Sequence, residues 1–249
     1  MISKTRIKYI KSLQVKKYRK EEQLFLVEGA KSVEELLRSD FEVTWVAATE
    51  SFQAANAKLL KARALEVVPT SDAELTSISS LQTNNGALAI AQIKANKPPI
   101  TQGVEIIVVL DDIRDPGNLG TIIRTADWYG VKNIVASEET ADFYNPKTIS
   151  ATMGSFCRVN FYYADLEQYL SSVSGLVYGA YLLGENIHRM TIPKGGCHLV
   201  IGNESRGIAE GLEKFIRHKI TIPRFGTAES LNAGVATGII LDNFRRSEK

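Results

Sequence analysis

The sequence predicts an α/β protein of two domains, and three observations carry that prediction. Short apolar runs alternate with helical stretches along most of the 249 residues. In the later part, runs such as Ile106 to Leu110 are apolar throughout rather than at every second position, the pattern of strands buried on both faces in a parallel sheet. The alternation stops between Lys94 and Gly103, at Pro98-Pro99 and a glycine. The boundary is therefore placed there, giving domains of residues 1–97 and 104–249.

The elements follow in order. Residues 1–20 hold Lys4, Arg6, Lys8, Lys11, Lys16, Lys17, Arg19 and Lys20 with no acid, a local charge of +8, although the whole chain carries only +2. Such a block suits a polyanion, because each phosphate neutralised releases condensed counterions. These eight residues are the candidate contacts to RNA or DNA; a solvated terminal helix is the bland alternative. Ile2, Ile7, Ile10, Leu13 and Val15 make too thin a stripe for a strong membrane-surface helix. The first domain continues with strands at Leu24-Phe25-Leu26-Val27, Val43-Thr44-Trp45-Val46, Leu65-Glu66-Val67-Val68 and Ala87-Leu88-Ala89-Ile90-Ala91. Helices are predicted over about 30–38, 52–63 and after Ser71, where Ser71-Asp72-Ala73-Glu74 reads as a capping box. In the second domain strands are predicted at 106–110, 134–136, 159–162, 176–180, 198–201 and 219–222, with helices near 118–129, 146–153, 166–173 and 231–245.

Composition narrows the function classes. With 44% hydrophobic and 23% charged residues the chain is neither disordered nor a coiled coil. No window reaches the ~18 apolar residues of a spanning helix, and the first twenty residues lack the apolar core of a secretory signal. The expectation is a cytoplasmic protein with no membrane partner. Cys157 and Cys197 have no metal-ligand spacing and read as reduced thiols, so no metal is expected. His188, His198 and His218 share no spacing and read as structural or solvated.

Ligands of open parallel sheets bind beyond the carboxyl ends of the strands, and three loops there carry chemistry. In the first, Asp111 to Gly120, Pro116-Gly117 makes a turn, Asn118 is expected to cap the next helix, and Arg124 to bend back from its second turn. The second, Gly202-Asn203-Glu204-Ser205-Arg206-Gly207, puts a carboxylate between two glycines. Its G-x-x-S-x-G spacing is not a nucleophile elbow, and neither a Walker pattern nor G-x-G-x-x-G occurs in the chain. In the third, Ile222-Pro223 precedes Ser230-Leu231-Asn232; Ser230 is expected to cap the last helix and Asn232 to lie in its first turn. Tyr18, Phe25 and Phe225 are conceivable base-stacking residues and equally ordinary packing residues.

These motifs, Asn118-x-Gly120-x3-Arg124 with Gly130, Gly202-x-Glu204-x2-Gly207, and Ile222-Pro223 with Ser230-Leu231-Asn232, resemble the three ordered motifs of the SpoU/TrmH-type RNA ribose 2′-O-methyltransferases of the SPOUT superfamily. Phe25-Leu26-Val27-Glu28-Gly29 and the helix after it resemble the small ribosomal-protein-like substrate-binding domain that many members carry. The resemblance implies a parallel-sheet catalytic domain with a deep trefoil knot, S-adenosylmethionine as methyl donor, tRNA or rRNA as acceptor, and a homodimer with its active site at the subunit interface. It assigns cofactor contacts to Gly202, Ile222 and Leu231, and catalytic roles to Asn118, Arg124, Glu204, Ser230 and Asn232. Ala233-Gly234 stand where valine and serine are usual.

A sulfonium methyl is already electrophilic, so the protein must supply alignment and a route for the ribose proton. An arginine is a poor base in its free form. Arg124 is therefore expected to bind the adjacent phosphate and stabilise the developing 2′-oxyanion, with Asn118 and Glu204 holding it in register. The alternative function is a catalytically silent RNA-binding or ribosome-assembly protein that kept the fold; the intact motif residues speak against it.

Overall fold

The computed structural model describes residues 2–80, 84–100, 105–190 and 195–246. Residues 101–104, which end the expected linker and begin the expected second domain, lie outside them. The helices are α1 (Lys4–Ser12), α2 (Lys16–Glu22), α3 (Ala30–Arg38), α4 (Glu50–Ala55), α5 (Ala57–Ala62), α6 (Asp72–Ile78), α7 (Pro116–Trp128), α8 (Pro146–Thr152), α9 (Leu166–Ser171) and α10 (Ala233–Arg246). The strands are β1 (Leu24–Glu28), β2 (Val43–Ala48), β3 (Val67–Pro69), β4 (Ala87–Gln92), β5 (Ile106–Leu110), β6 (Asn133–Ala136), β7 (Asn160–Tyr163), β8 (Leu176–Asn186), β9 (Cys197–Ile201) and β10 (His218–Thr221).

The chain divides into two compact units: residues up to Ala95 together with Asp142–Cys157, and Asn96–Ala141 together with Arg158 onward. The first unit is built on a four-stranded sheet of order β1-β4-β2-β3. β4 runs antiparallel to β1 and β2, and β3 parallel to β2. The helix expected over 52–63 is broken at Asn56 into α4 and α5. The Ser71–Glu74 capping box is present, satisfying two amide donors at the start of α6.

The apolar stripe of the basic segment has a structural use. Ile2, Ile10 and Leu13 are buried in one cluster with Leu26, Trp45, Leu75, Ile78, Leu88 and Ile90, leaving Lys4, Arg6, Lys8, Lys11, Lys16, Lys17 and Lys20 exposed. Arg19 corrects the expected set of RNA contacts. It is 1% exposed, donates from Nη1 to the Leu13 and Gln14 carbonyls at 2.9 and 2.7 Å, and pairs through Nη2 with Asp142 at 2.6 Å. Its charge is taken up inside the unit.

Residues 142–157 were expected in the second domain, yet they pack within the first unit because Arg19 and Phe25 hold them there. The Phe25 ring lies 4.6 Å from Tyr144 and 6.1 Å from Phe156, centre to centre. Phe25 is therefore core rather than a base-stacking platform.

The second unit carries a six-stranded sheet of order β10-β8-β9-β5-β6-β7, and every pairing in it is parallel. β5 and β9 are buried along their whole length, as all-apolar runs require. β5 lies between β6 and β9, so the loop after it opens beside the loop after β9. α7 and α10 pack together on one flank: a Cβ on Gly234 would stand 2.8 Å from Thr121 Cγ2, Tyr129 Oη donates to Asp242 at 3.3 Å, and Arg245 Nε donates to the Tyr129 carbonyl at 2.7 Å.

Buried charge sets two expectations for stability. Removing one member of a buried ion pair leaves the other uncompensated and typically costs ~3–5 kcal/mol. Arg19→Ala should destabilise the first unit by about that much in denaturant unfolding, and adding Asp142→Ala should recover part of the loss. His198, in β9, meets Tyr169 Oη through Nε2 at 3.0 Å, while its buried Nδ1 has no hydrogen-bond partner among the described residues. Burial pushes its pKa down to about 4. The unfolded chain binds this proton near pH 6.5, so the stability from the neutral imidazole is complete above that and is lost as pH falls toward 4, by up to about 3 kcal/mol. His198→Gln should flatten this part of the stability-pH curve.

Candidate active site

The site begins with a helix start. Asp115 caps α7, accepting from the Asn118 amide at 2.8 Å, and Pro116 takes the first helical position. Asn118 is therefore not the cap it was expected to be. Because Asp115 does the capping, the Asn118 side chain is free to turn outward. Its Nδ2 donates to Glu204 Oε1 at 2.6 Å and its Oδ1 accepts from Asn232 Nδ2 at 2.7 Å. One amide thus joins all three loops singled out in the sequence.

The two partners are fixed in turn. Glu204 rides on a hairpin in which Asn203 and Gly207 exchange backbone hydrogen bonds at 3.0 and 2.9 Å. Gly202 is required at its base, since a Cβ there would overlap the Gly207 and Ile208 backbone. Asn232 Oδ1 accepts from the Gly234 and Val235 amides at 3.0 and 3.3 Å, so Asn232, not Ser230, caps α10. Ser230 stands exposed before the helix. A Cβ at Gly234 would stand 2.8 Å from Thr121 Cγ2, so the glycine lets α10 start close against α7 without displacing that side chain.

Arg124 differs from the sequence expectation. It is exposed on α7, and among the described residues it makes no hydrogen bond or ion pair. Asn118 and Glu204 bind each other instead of holding it. Six residues along a helix amount to about 240° of rotation, so Arg124 and Asn118 leave α7 in different directions. One turn beyond Arg124 stands Trp128, 84% exposed, a residue that no sequence motif marks.

The residues assigned to the cofactor surround the same loops. Ile222 follows β10 half-buried, and Thr221 Oγ1 donates to the Leu182 carbonyl at 3.0 Å. That bond places the Leu182 backbone beside Thr221, and Leu182, Leu183 and Leu231 are exposed. Apolar side chains, a glycine admitting close backbone approach and irregular peptide over 222–232 suit an adenosyl group, which needs apolar walls and main-chain partners. The Glu204 carboxylate nearby suits a sulfonium cation. These residues fit the donor that the resemblance implies. Among the described residues no three His, Cys, Asp or Glu side chains are grouped to hold a metal ion.

Burial also marks groups behind the site. Burial holds the Asp111 carboxyl above its ordinary range despite a hydrogen bond from the Ala209 amide, and pushes the Tyr181 hydroxyl up to about 12.

Comparison with known proteins gives the family. The SpoU rRNA methylase family matches residues 105–242, and an MRM3-like substrate binding domain matches residues 4–89. A 23S rRNA (guanosine(2553)-2′-O)-methyltransferase of Bacillus subtilis strain 168 is 28% identical over 243 residues, covering 96% of each chain. Two solved structures are similar over nearly their full length. An RNA methyltransferase of the TrmH family from Porphyromonas gingivalis is 33% identical with a TM-score of 0.84, covering 99% of both chains. An AdoMet-bound rRNA methyltransferase from Sinorhizobium meliloti is 31% identical with a TM-score of 0.87, covering 99% of this chain and 97% of that one. With more than half its length matched, and with the three motif loops joined through one asparagine, this chain belongs to the SpoU rRNA methylase family.

Proposed function

We infer that the chain is an S-adenosylmethionine-dependent RNA methyltransferase acting on a ribose 2′-hydroxyl of rRNA or tRNA. The observation that carries this reading is the Asn118 amide bonded at once to Glu204 and Asn232. Family membership and the AdoMet-bound relative support the choice of donor. S-adenosylmethionine, when bound, supplies an electrophilic methyl on a sulfonium.

The chain's own residues do the rest. Gly202, Ile222 and Leu231 hold the donor, chiefly through main-chain groups, and Ser230 and Asn232 line the donor side. Asn118 and Glu204 orient the acceptor ribose. Arg124 binds the phosphate next to that ribose, and its fixed positive charge stabilises the oxyanion as the hydroxyl proton departs.

The isolation of Arg124 from its own chain's network supports a homodimer whose active site is shared, with Arg124 serving the partner's Asn118, Glu204 and Asn232. Exposed tryptophan and arginine, here one helical turn apart, are the residue types enriched at protein interfaces. The reading also includes a deep trefoil knot in the carboxyl-terminal part, supported by the fold likeness to family structures. Residues 1–97 act as the RNA-binding domain, supported by the substrate-binding-domain match and by the seven exposed cations on α1 and α2; residues 104–249, apart from the 142–157 segment that packs within the first unit, form the methyltransferase domain. No described helix is long and apolar enough to cross a membrane, in keeping with action on RNA in the cytoplasm.

Arg124→Ala should lower methyl transfer to total RNA by on the order of 10³-fold or more, as for loss of a principal charge stabiliser, with donor affinity by calorimetry little changed. Near-normal turnover removes Arg124 from the mechanism. Mixing Arg124→Ala with Asn232→Ala subunits should restore part of the activity if the site is shared. A silent protein would bind RNA without binding the donor. For the basic segment, replacing Lys8, Lys11 and Lys16 with glutamine should weaken RNA binding and flatten its log-log salt dependence by about 0.7–0.9 for each phosphate that is no longer neutralised.

A further inference from the structure

We propose that Asp111 is the positioning residue that sets Glu204, by clamping both ends of the hairpin that carries it. Where the chain leaves β9, the Asp111 amide donates to the Ile201 carbonyl at 2.9 Å. Where the chain returns, Asp111 Oδ2 accepts from the Ala209 amide at 2.7 Å. One residue at the tip of β5 therefore fixes the entry and the exit of the loop.

Asp112 adds a tie at the middle. Its carbonyl accepts from Asn203 Nδ2 at 2.8 Å, and Asn203 Oδ1 accepts from the Ser205 and Arg206 amides at 2.9 and 3.2 Å. Glu204 lies between these fixed points, and from there its carboxylate reaches Asn118. Asp112 takes φ 57° to make this tie, a strained conformation for a residue with a Cβ, and its amide is held by Ser137 Oγ at 3.1 Å.

Fold stability does not explain the carboxylate at position 111. Its pKa is raised, mainly by burial, so any stability gained from the protonated form is complete below the unfolded pKa and is lost as pH rises through the folded one. At neutral pH the ionised group opposes folding. The groups facing it deepen this: Asp112 from its own loop and Glu139 from the loop after β6 both raise it, and Tyr181 on β8 supplies no positive charge. What the ionised oxygen offers is a charge-assisted acceptor for the Ala209 amide.

The inference rests on the methyltransferase reading for its kinetic readout, so a second readout is independent of activity. In full-length protein, Asp111→Ala should lower kcat at saturating RNA and donor by about tenfold or more and speed amide hydrogen exchange across 202–209 by a similar factor. Asp111→Asn keeps an acceptor without the charge. It should stay within about threefold of wild-type kcat at neutral pH, show unchanged or higher Tm, keep the hairpin protected, and lose the part of the acid limb that Asp111 contributes to the kcat-pH profile. Wild-type kcat and wild-type exchange in Asp111→Ala overturn the clamp. Equal losses in both variants with a parallel fall in Tm also overturn it, leaving a purely structural residue. If the wild-type protein transfers no methyl to RNA, the functional reading fails while hydrogen exchange still judges the clamp.

Discussion

The arrangement of the second unit depends on one side-chain amide with two different ends. Asn118 must give its NH2 to a carboxylate and its oxygen to another amide, and only an amide side chain offers both in that geometry. An aspartate would set two carboxylates against each other, and a leucine would leave both partners bare. The flip of the Asn118 amide is fixed because Glu204 can only accept and Asn232, whose oxygen is engaged by the α10 amides, can only donate. Chain segments 86 and 114 residues apart in sequence are thereby brought to one point.

That point is rigid because each member is held from behind. Asp115 takes over the capping of α7 and so frees Asn118; Asn232 is itself the cap of α10; the Glu204 hairpin is tied to the end of β5. Helix caps here do two things at once: they satisfy the orphan amides of a helix start and leave a side-chain amide aimed at the point where the three loops meet. Parallel strands explain why this happens on one edge of the sheet, since every strand delivers its chain to the same side.

Much of this is legible in the sequence. All-apolar runs point to the parallel sheet, the Ser71–Glu74 spacing to the capping box, and the glycines, carboxylates and amides after β5, β9 and β10 mark those loops by residue type alone. The finer assignments are not legible, for physical reasons. Asp115 and Asn118 are both good caps three residues apart, and propensity alone does not say which wins; Pro116 at the first helical position decides it. Ser230 and Asn232 pose the same ambiguity, and only the bonds from the Gly234 and Val235 amides to Asn232 Oδ1 resolve it. The return of 142–157 to the first unit depends on contacts far apart in sequence, which no local pattern carries. Asp111 has no sequence signal because an aspartate at a strand end is ordinary until its two amide and carboxylate bonds are seen together.

Two arginines show the same limit from opposite sides. Arg19 sits in a run of cations and Arg124 stands alone on an apolar helix, so charge density points to the first as the ligand contact. Burial removes Arg19 from that role and leaves Arg124 open. Arg19 faces two carbonyls and a carboxylate that meet its charge inside the chain, and an ion so paired has little attraction left for a polyanion. Arg124 has no anion among the described residues to neutralise it, keeps its hydration, and retains its full field for whatever approaches α7. A guanidinium binds phosphate only if no internal carboxylate has already claimed it, and that competition is settled by tertiary packing rather than by the number of positive residues nearby.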